Sequence, residues 1–246
     1  MASISIIIGA SAGVGRALAT ILAENGKSLL LVASDTRDLE ALKSDITNRY
    51  DVGVWTLATS VLQLETFLGD YKKLLQRFSD IECLAFPIGY ASEHDTFESQ
   101  ADIIPPIITI NLSIIPEIIR ASKDKLESAK QARIVGFGSI AGARGRDQNV
   151  IYSAAKRGLE SYFESLRHYY SDKTVCVQFY KLGYVDTQQS FGKDLKFPVI
   201  KPQIVAQQFM RDKSKDFGSK YYPRFWGLIC TVLRFLPWFL YKKLKF

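Results

Sequence analysis

Ile4-Ser5-Ile6-Ile7-Ile8-Gly9-Ala10-Ser11-Ala12-Gly13-Val14-Gly15-Arg16-Ala17-Leu18 is the stretch on which the reading of this chain turns. A short apolar, β-branched run over 3–8 reads as a strand, and 14–25, with Leu18, Ile21 and Leu22 on one face, reads as a helix. Between them Gly9 permits a tight turn, Gly13 lets the backbone approach a phosphate, and Gly15 allows the helix to pack closely on the strand. Ser11 and Val14 complete the loop, and the helix N-terminus adds N–H donors and partial positive charge. A merely structural turn is the plainer reading of three glycines. The strand before and the helix after favour a cradle for a dinucleotide pyrophosphate.

Further runs recur at 28–33, 52–57, 81–86, 132–137 and 174–180, each nearly continuous rather than alternating, as in strands buried on both faces. Helical periodicity fills the gaps at 36–49, 62–77 and 150–170, and 105–130 opens on Pro105-Pro106, which suits a first helical turn, and runs through Asn111. Strand and helix in alternation predict an α/β fold: a single-domain Rossmann-type doubly wound parallel sheet of six to seven strands with helices on both faces. Residues 1–190 form the dinucleotide-binding core with the candidate catalytic groups; 191–246 supply a substrate lid and a tail of the same domain. Ligands of such sheets bind beyond the carboxyl ends of the strands, so the loops at 9–15, 33–37, 86–104, 138–151 and 181–200 are expected around one site.

The length of 246 residues suits one such domain, and 47% apolar with 23% charged residues excludes disorder, collagen and coiled coil. The net charge of +7 is uneven: residues 1–192 hold 20 basic and 22 acidic side chains, residues 193–246 hold 12 and 3. Cys83, Cys176 and Cys230, with His94 and His168, show neither disulfide nor zinc spacing, so no metal is expected. A reducing cytoplasm is expected, and the N-terminal run lacks the basic region of a signal peptide.

Cofactor choice belongs at the end of the second strand, where a carboxylate would bond a ribose 2′-hydroxyl and repel a 2′-phosphate. Ala33 occupies that position, followed by Ser34, which favours NADP(H) over NAD(H); Asp35, one residue on, keeps NAD(H) open. The chemistry is expected from Ser139, closing the fifth strand, and from Tyr152 and Lys156, which a spacing of four puts on one helix face. An ammonium near the phenol would favour phenolate, making Tyr152 an acid/base group, with Ser139 holding the substrate oxygen.

In this order and separation the residues resemble the short-chain dehydrogenase/reductase family, over roughly 3–190. The resemblance maps the family's glycines onto Gly9, Gly13 and Gly15, and its serine, tyrosine and lysine onto Ser139, Tyr152 and Lys156. It makes Asn111 the asparagine supporting a proton-relay water, and places Gly183, Val185 and Thr187 at the nicotinamide end. Of the family's Asn-Asn-Ala-Gly only Gly89 remains, in Phe86-Pro87-Ile88-Gly89; Ser60 stands for the acid near the adenine and Leu182 for a proline. The implied activity is NADP(H)-dependent hydride transfer between nicotinamide and a small-molecule carbonyl or alcohol, with a lipophilic substrate indicated by surrounding apolar residues. A homodimer or homotetramer through 105–130 and 150–170 is also implied. The alternative is a cofactor-binding regulatory or scaffold protein of the same fold without essential turnover, for which the altered 86–89 segment speaks.

Residues 188–200 carry Phe191, Leu195, Phe197 and Val199 where relatives place a lid; packing into the core is the other reading. The stretch 221–246 is apolar, aromatic and basic. Its uninterrupted run between Arg224 and Arg234 is nine residues, well short of the ~20 needed to span a bilayer, and Pro237 breaks any helix again. Two placements are open: peripheral contact with a membrane surface, or packing on the same subunit or a neighbour. Nucleic acid is not expected, since the positive charge lies in a hydrophobic tail with no binding motif.

Overall fold

Ile4, Ile6, Ile7 and Ile8 are wholly buried in the computed structural model, which describes residues 3–98, 101–187, 190, 192 and 197–244. They form β1 (Ile4–Ile8), whose successive side chains enter opposite layers: Ile4, Ile6 and Ile8 one core, Ile7 the other. The chain continues through α1 (Gly13–Glu24), β2 (Leu29–Ala33), α2 (Thr36–Arg49), β3 (Val54–Ala58), α3 (Leu64–Leu75) and β4 (Ile81–Phe86). After a 3-10 turn over Ala101–Ile103 come α4 (Ile104–Ile108), α5 (Ile114–Glu127), β5 (Ala132–Ser139), α6 (Val150–Tyr169) and β6 (Val175–Leu182). α7 (Pro202–Arg211), β7 (Gly218–Tyr222), α8 (Phe225–Phe235) and α9 (Trp238–Tyr241) follow.

All seven strands pair in parallel in the order β3-β2-β1-β4-β5-β6-β7. The order reverses between β1 and β4, and a crevice opens there at the strands' carboxyl ends. α3, α5 and α6 cover one face of the sheet with Phe67, Tyr71, Ile118 and Leu159; α1, α2 and α7 cover the other with Leu18, Leu39 and Phe209.

The doubly wound parallel sheet is as expected, and six strands fall within two residues of the runs read from sequence. Two elements differ. The segment read as one helix over 105–130 begins earlier and contains a π turn at Thr109–Ser113, between α4 and α5. The extra residue of that turn rotates Asn111 into the interior, where it is fully buried. The tail is not one segment either. Its start is β7, an edge strand whose Gly-Ser-Lys-Tyr-Tyr sequence lacks an apolar run because most of it is only half buried.

Candidate active site

The crevice is a cleft of ≈ 870 Å3, toward the upper end of the range for small-molecule sites. Gly9, Ser11, Gly13, Val14, Ser34, Gly89, Ser139, Tyr152, Lys156, Gly183, Val185 and Thr187 all line it. Gly15 and Asn111 do not. A Cβ on Gly15 would lie 1.9 Å from the Gly9 carbonyl oxygen, so Gly15 acts beneath the surface by letting α1 approach β1. Gly9 turns the chain at φ +94, and a Cβ there would sit 2.7 Å from the Ile88 backbone.

The first turn of α1 has no side-chain cap and no acidic residue. Its free N–H groups therefore face the cleft with the positive end of the helix dipole, an arrangement suited to an anion. Thr187 closes the other side of this turn, its methyl 2.9 Å from where a Gly13 Cβ would stand. Ser190 Oγ donates to the Val185 carbonyl (2.7 Å) and accepts the Thr187 N–H (2.9 Å), fixing the segment. At the end of β2, Ala33 and Ser34 line the cleft and Asp35 does not. Asp35 caps α2, its Oδ1 accepting the Asp38 N–H at 2.8 Å, so the carboxylate that kept the cofactor choice open is engaged elsewhere. Ser60, expected near the adenine, also lines the cleft. These features fit a nicotinamide dinucleotide: an uncapped helix N-terminus for its pyrophosphate, beside the glycine turn.

At the other end Ser139 and Tyr152 both line the cleft, and the Ser139 Oγ accepts the Ala141 N–H at 3.1 Å. Lys156 is buried one turn along α6; its Nζ donates to the carbonyls of Phe137 (3.2 Å) and Ile88 (3.5 Å) and stands 5.7 Å from the centre of the Tyr152 ring. The expected lysine-driven lowering of the phenol does not appear in this arrangement. Burial raises the Tyr152 pKa above its ordinary value, and the neighbouring Ser139 hydroxyl and the charge of Arg146 pull it back. The ammonium points at backbone oxygens under the ring, not at Oη, and burial lowers its own pKa to about 8.

Asn111 Nδ2 donates to the carbonyls of Tyr90 (2.6 Å) and Ile107 (2.9 Å), and its Oδ1 accepts the Tyr90 N–H (3.2 Å). It thereby holds the loop after β4 against the π turn. Three participants escape a sequence reading. Asp95, buried, accepts the N–H groups of Ile151 (2.9 Å) and Tyr152 (2.8 Å) and so caps the helix that carries the tyrosine. Asn149 precedes that helix at φ +53 without capping it. Arg146 enters the cleft wall with its Nε buried and unpartnered. Trp226 seals the Gly183 segment: a Cβ on Gly183 would lie 1.9 Å from its Nε1. Of the lid residues, Phe197 packs on Trp226 at a tilt of 58° with ring centroids 4.9 Å apart, whereas Phe191 and Leu195 lie outside the described residues. Among the described residues no three His, Cys, Asp or Glu side chains group as metal ligands.

A parallel sheet with its order reversed at a glycine cradle, and a Ser–Tyr–Lys group beside it, defines a Rossmann-type dinucleotide oxidoreductase. The sequence profile described as short chain dehydrogenase matches residues 3–194, and the chain belongs to that family. It is thus an NAD(P)-dependent enzyme acting on a CH–OH/C=O pair. Among curated relatives it is 25% identical to the 3-oxoacyl-acyl-carrier-protein reductase FabG of Escherichia coli, covering 76% of this chain and 75% of that one. It is 27% identical to an NADP-dependent 3-hydroxy acid dehydrogenase of Schizosaccharomyces pombe, covering 75% and 72%. The fold is shared with a short-chain dehydrogenase of Streptomyces avermitilis at TM-score 0.81 and 18% identity, covering 94% and 92%. It is also shared with an alcohol dehydrogenase of Thermococcus sibiricus, solved with 5-hydroxy-NADP, at TM-score 0.77 and 23% identity, covering 90% and 96%.

Proposed function

We propose that this chain is an NADP(H)-dependent oxidoreductase for a lipophilic carbonyl/alcohol pair, with Ser139, Tyr152 and Lys156 as the reacting constellation and Asn111 as its brace. The observation that carries this reading is the gathering of Ser139, Tyr152 and Lys156 in one cleft with the uncapped α1 N-terminus. The nicotinamide, when bound, supplies or accepts the hydride. In the reducing direction Ser139 Oγ holds the substrate oxygen and Tyr152 Oη gives it a proton. The positive charge of Arg146 stabilises the phenolate left behind, and Lys156, one turn along α6, would bind the ribose hydroxyls of the cofactor. Gly9, Ser11, Gly13 and Val14 hold the pyrophosphate; Gly89, Gly183, Val185 and Thr187 flank the nicotinamide half. The NADP(H) preference is supported by Ser34 at the end of β2, by the engagement of Asp35 in its cap, and by the NADP dependence named for the Schizosaccharomyces relative.

Replacing Tyr152 by Phe is expected to lower turnover about 10²–10⁴-fold while leaving NADPH binding unchanged, read by cofactor fluorescence and by NADPH absorbance over a panel of aldehydes and ketones. Normal turnover in that variant would refute the assignment and favour a non-catalytic scaffold. A homodimer or homotetramer is supported by the 27-residue helical stretch Ala101–Glu127, whose most apolar 18-residue window has mean hydropathy 1.5 and is only one-third buried; solution mass checks it. The same stretch is long and apolar enough to cross a membrane by composition, but here α5 packs on the central sheet. Three free cysteines, two of them buried, support a cytoplasmic location.

A further inference from the structure

α8 carries apolar side chains on two opposite sides, yet only one of these sides is covered. Trp226 and Cys230 face inward, where the helix packs on β7 and on the 3-10 turn Ile140–Ala143. The opposite side presents Phe225, Leu228, Val232 and Phe235, at spacings of three and four, so that they form one continuous stripe. Leu228 is 74% exposed and Phe235 78%, and just beyond, Trp238 is 67% and Phe239 61% exposed. An exposed apolar patch built from consecutive elements marks an interaction surface.

We propose that this face of α8 and α9 seats the protein on the surface of an anionic lipid bilayer. Charge selects this occupant. Residues 217–246 contain no Asp or Glu, while Arg224, Arg234, Lys242 and Lys243 are exposed around the stripe. Aromatic and aliphatic side chains ringed by cations match an interfacial helix whose apolar face enters the headgroup boundary and whose cations meet lipid phosphates. A second copy of this chain, meeting the patch about a two-fold axis, would bring the same cations against one another. With 11 residues α8 is about 16 Å long, roughly half the hydrocarbon thickness, and the chain breaks at Pro237, so the segment lies on the bilayer and does not cross it.

The platform is anchored to the walls of the cleft. Arg144 donates to the carbonyls of Leu233 and Leu236 and its guanidinium lies 3.8 Å from the centre of the Tyr241 ring, while Tyr241 Oη donates to the Gly145 carbonyl at 2.7 Å. Trp226 packs on Gly183 and on the Tyr184 ring, which line the cleft. Docking therefore places the cleft next to the lipid surface, where an amphiphilic substrate would be presented. The docking itself does not depend on the redox assignment.

The test is flotation of the full chain with vesicles of phosphatidylcholine alone or with about one-third phosphatidylglycerol, beside the combined variant Leu228→Glu, Phe235→Glu, Trp238→Glu. The wild type is expected to float with the anionic vesicles, less as salt is raised, with Trp238 fluorescence shifting to the blue. The variant, whose changed side chains touch solvent, is expected to keep its unfolding temperature and NADPH binding and to lose roughly a hundredfold in partitioning. A wild type that stays down with both vesicles overturns the proposal, as does a variant that floats as well. Loss of oligomeric mass in the variant, with no flotation of the wild type, would assign the patch to a contact between copies and overturn it too.

Discussion

Lys156 shows at the scale of one side chain how function strains the fold. Its ammonium is buried, and two carbonyls do not repay its lost hydration, so its pKa falls to about 8 from an ordinary 10.5. Between these values the unfolded chain holds more protons than the folded one, so stability rises with pH through that window. The cost is therefore full below pH 8. Lys156→Met is expected to abolish turnover and yet raise unfolding free energy at pH 7 by about 1–3 kcal/mol, the gain shrinking toward zero above pH 10.5. Urea denaturation of both proteins at neutral and alkaline pH checks this; a destabilised variant at pH 7 would show that the ammonium is well solvated after all. Lys156 and Tyr152 were legible because their spacing of four and their distance from Ser139 are local facts. Asp95 and Arg146 were not: the carboxylate reaches its N–H partners across more than fifty positions of chain, and no period in the sequence encodes that contact.

Among elements, the central strands were the readable part, since β1, β2, β4 and β5 are buried on both faces and carry continuous apolar runs. β7 was unreadable for the complementary reason: it lies at the sheet edge, and a lysine in it serves a buried acid. That acid, Asp212 just past α7, receives Lys220, Lys215, Gln208 and Tyr180. Burial alone would raise its pKa, but these donors outweigh that and hold it at about 2. A folded value below the ordinary 3.8 means the network stabilises fully above pH 4 and fades as pH falls toward 2. Asp212→Asn is expected to cost about 2–4 kcal/mol at pH 7, below the full cost of breaking a buried pair because Lys215 and Lys220 keep partial solvent contact. The deficit against wild type should narrow below pH 4 in thermal unfolding; a constant deficit would place the effect in packing.

For the whole molecule, the reversal of strand order gathers loops from both halves of the sheet around one ligand, so binding should be felt as stability of the entire chain. A cofactor present at a hundred times its dissociation constant adds about 2.7 kcal/mol, which for a domain of this size corresponds to roughly 5–10 °C of unfolding temperature. Ser34 is the position that should decide which cofactor does so. It lies at the end of β2 and lines the cleft, whereas Asp35 beside it does not and is turned into its cap. Ser34→Asp would place a charge beside the 2′-phosphate of NADPH, and even at an effective dielectric of ~20 this repulsion reaches a few kcal/mol before screening. Wild type is expected to be raised more by NADPH than by NADH in a thermal shift experiment, and the variant more by NADH, with NADPH affinity about 10–100-fold weaker. Equal shifts with both cofactors in the wild type would remove the charge argument at this strand end. A variant still preferring NADPH would locate the selecting groups elsewhere, with Arg37, exposed on the first turn of α2, as a cation to test next.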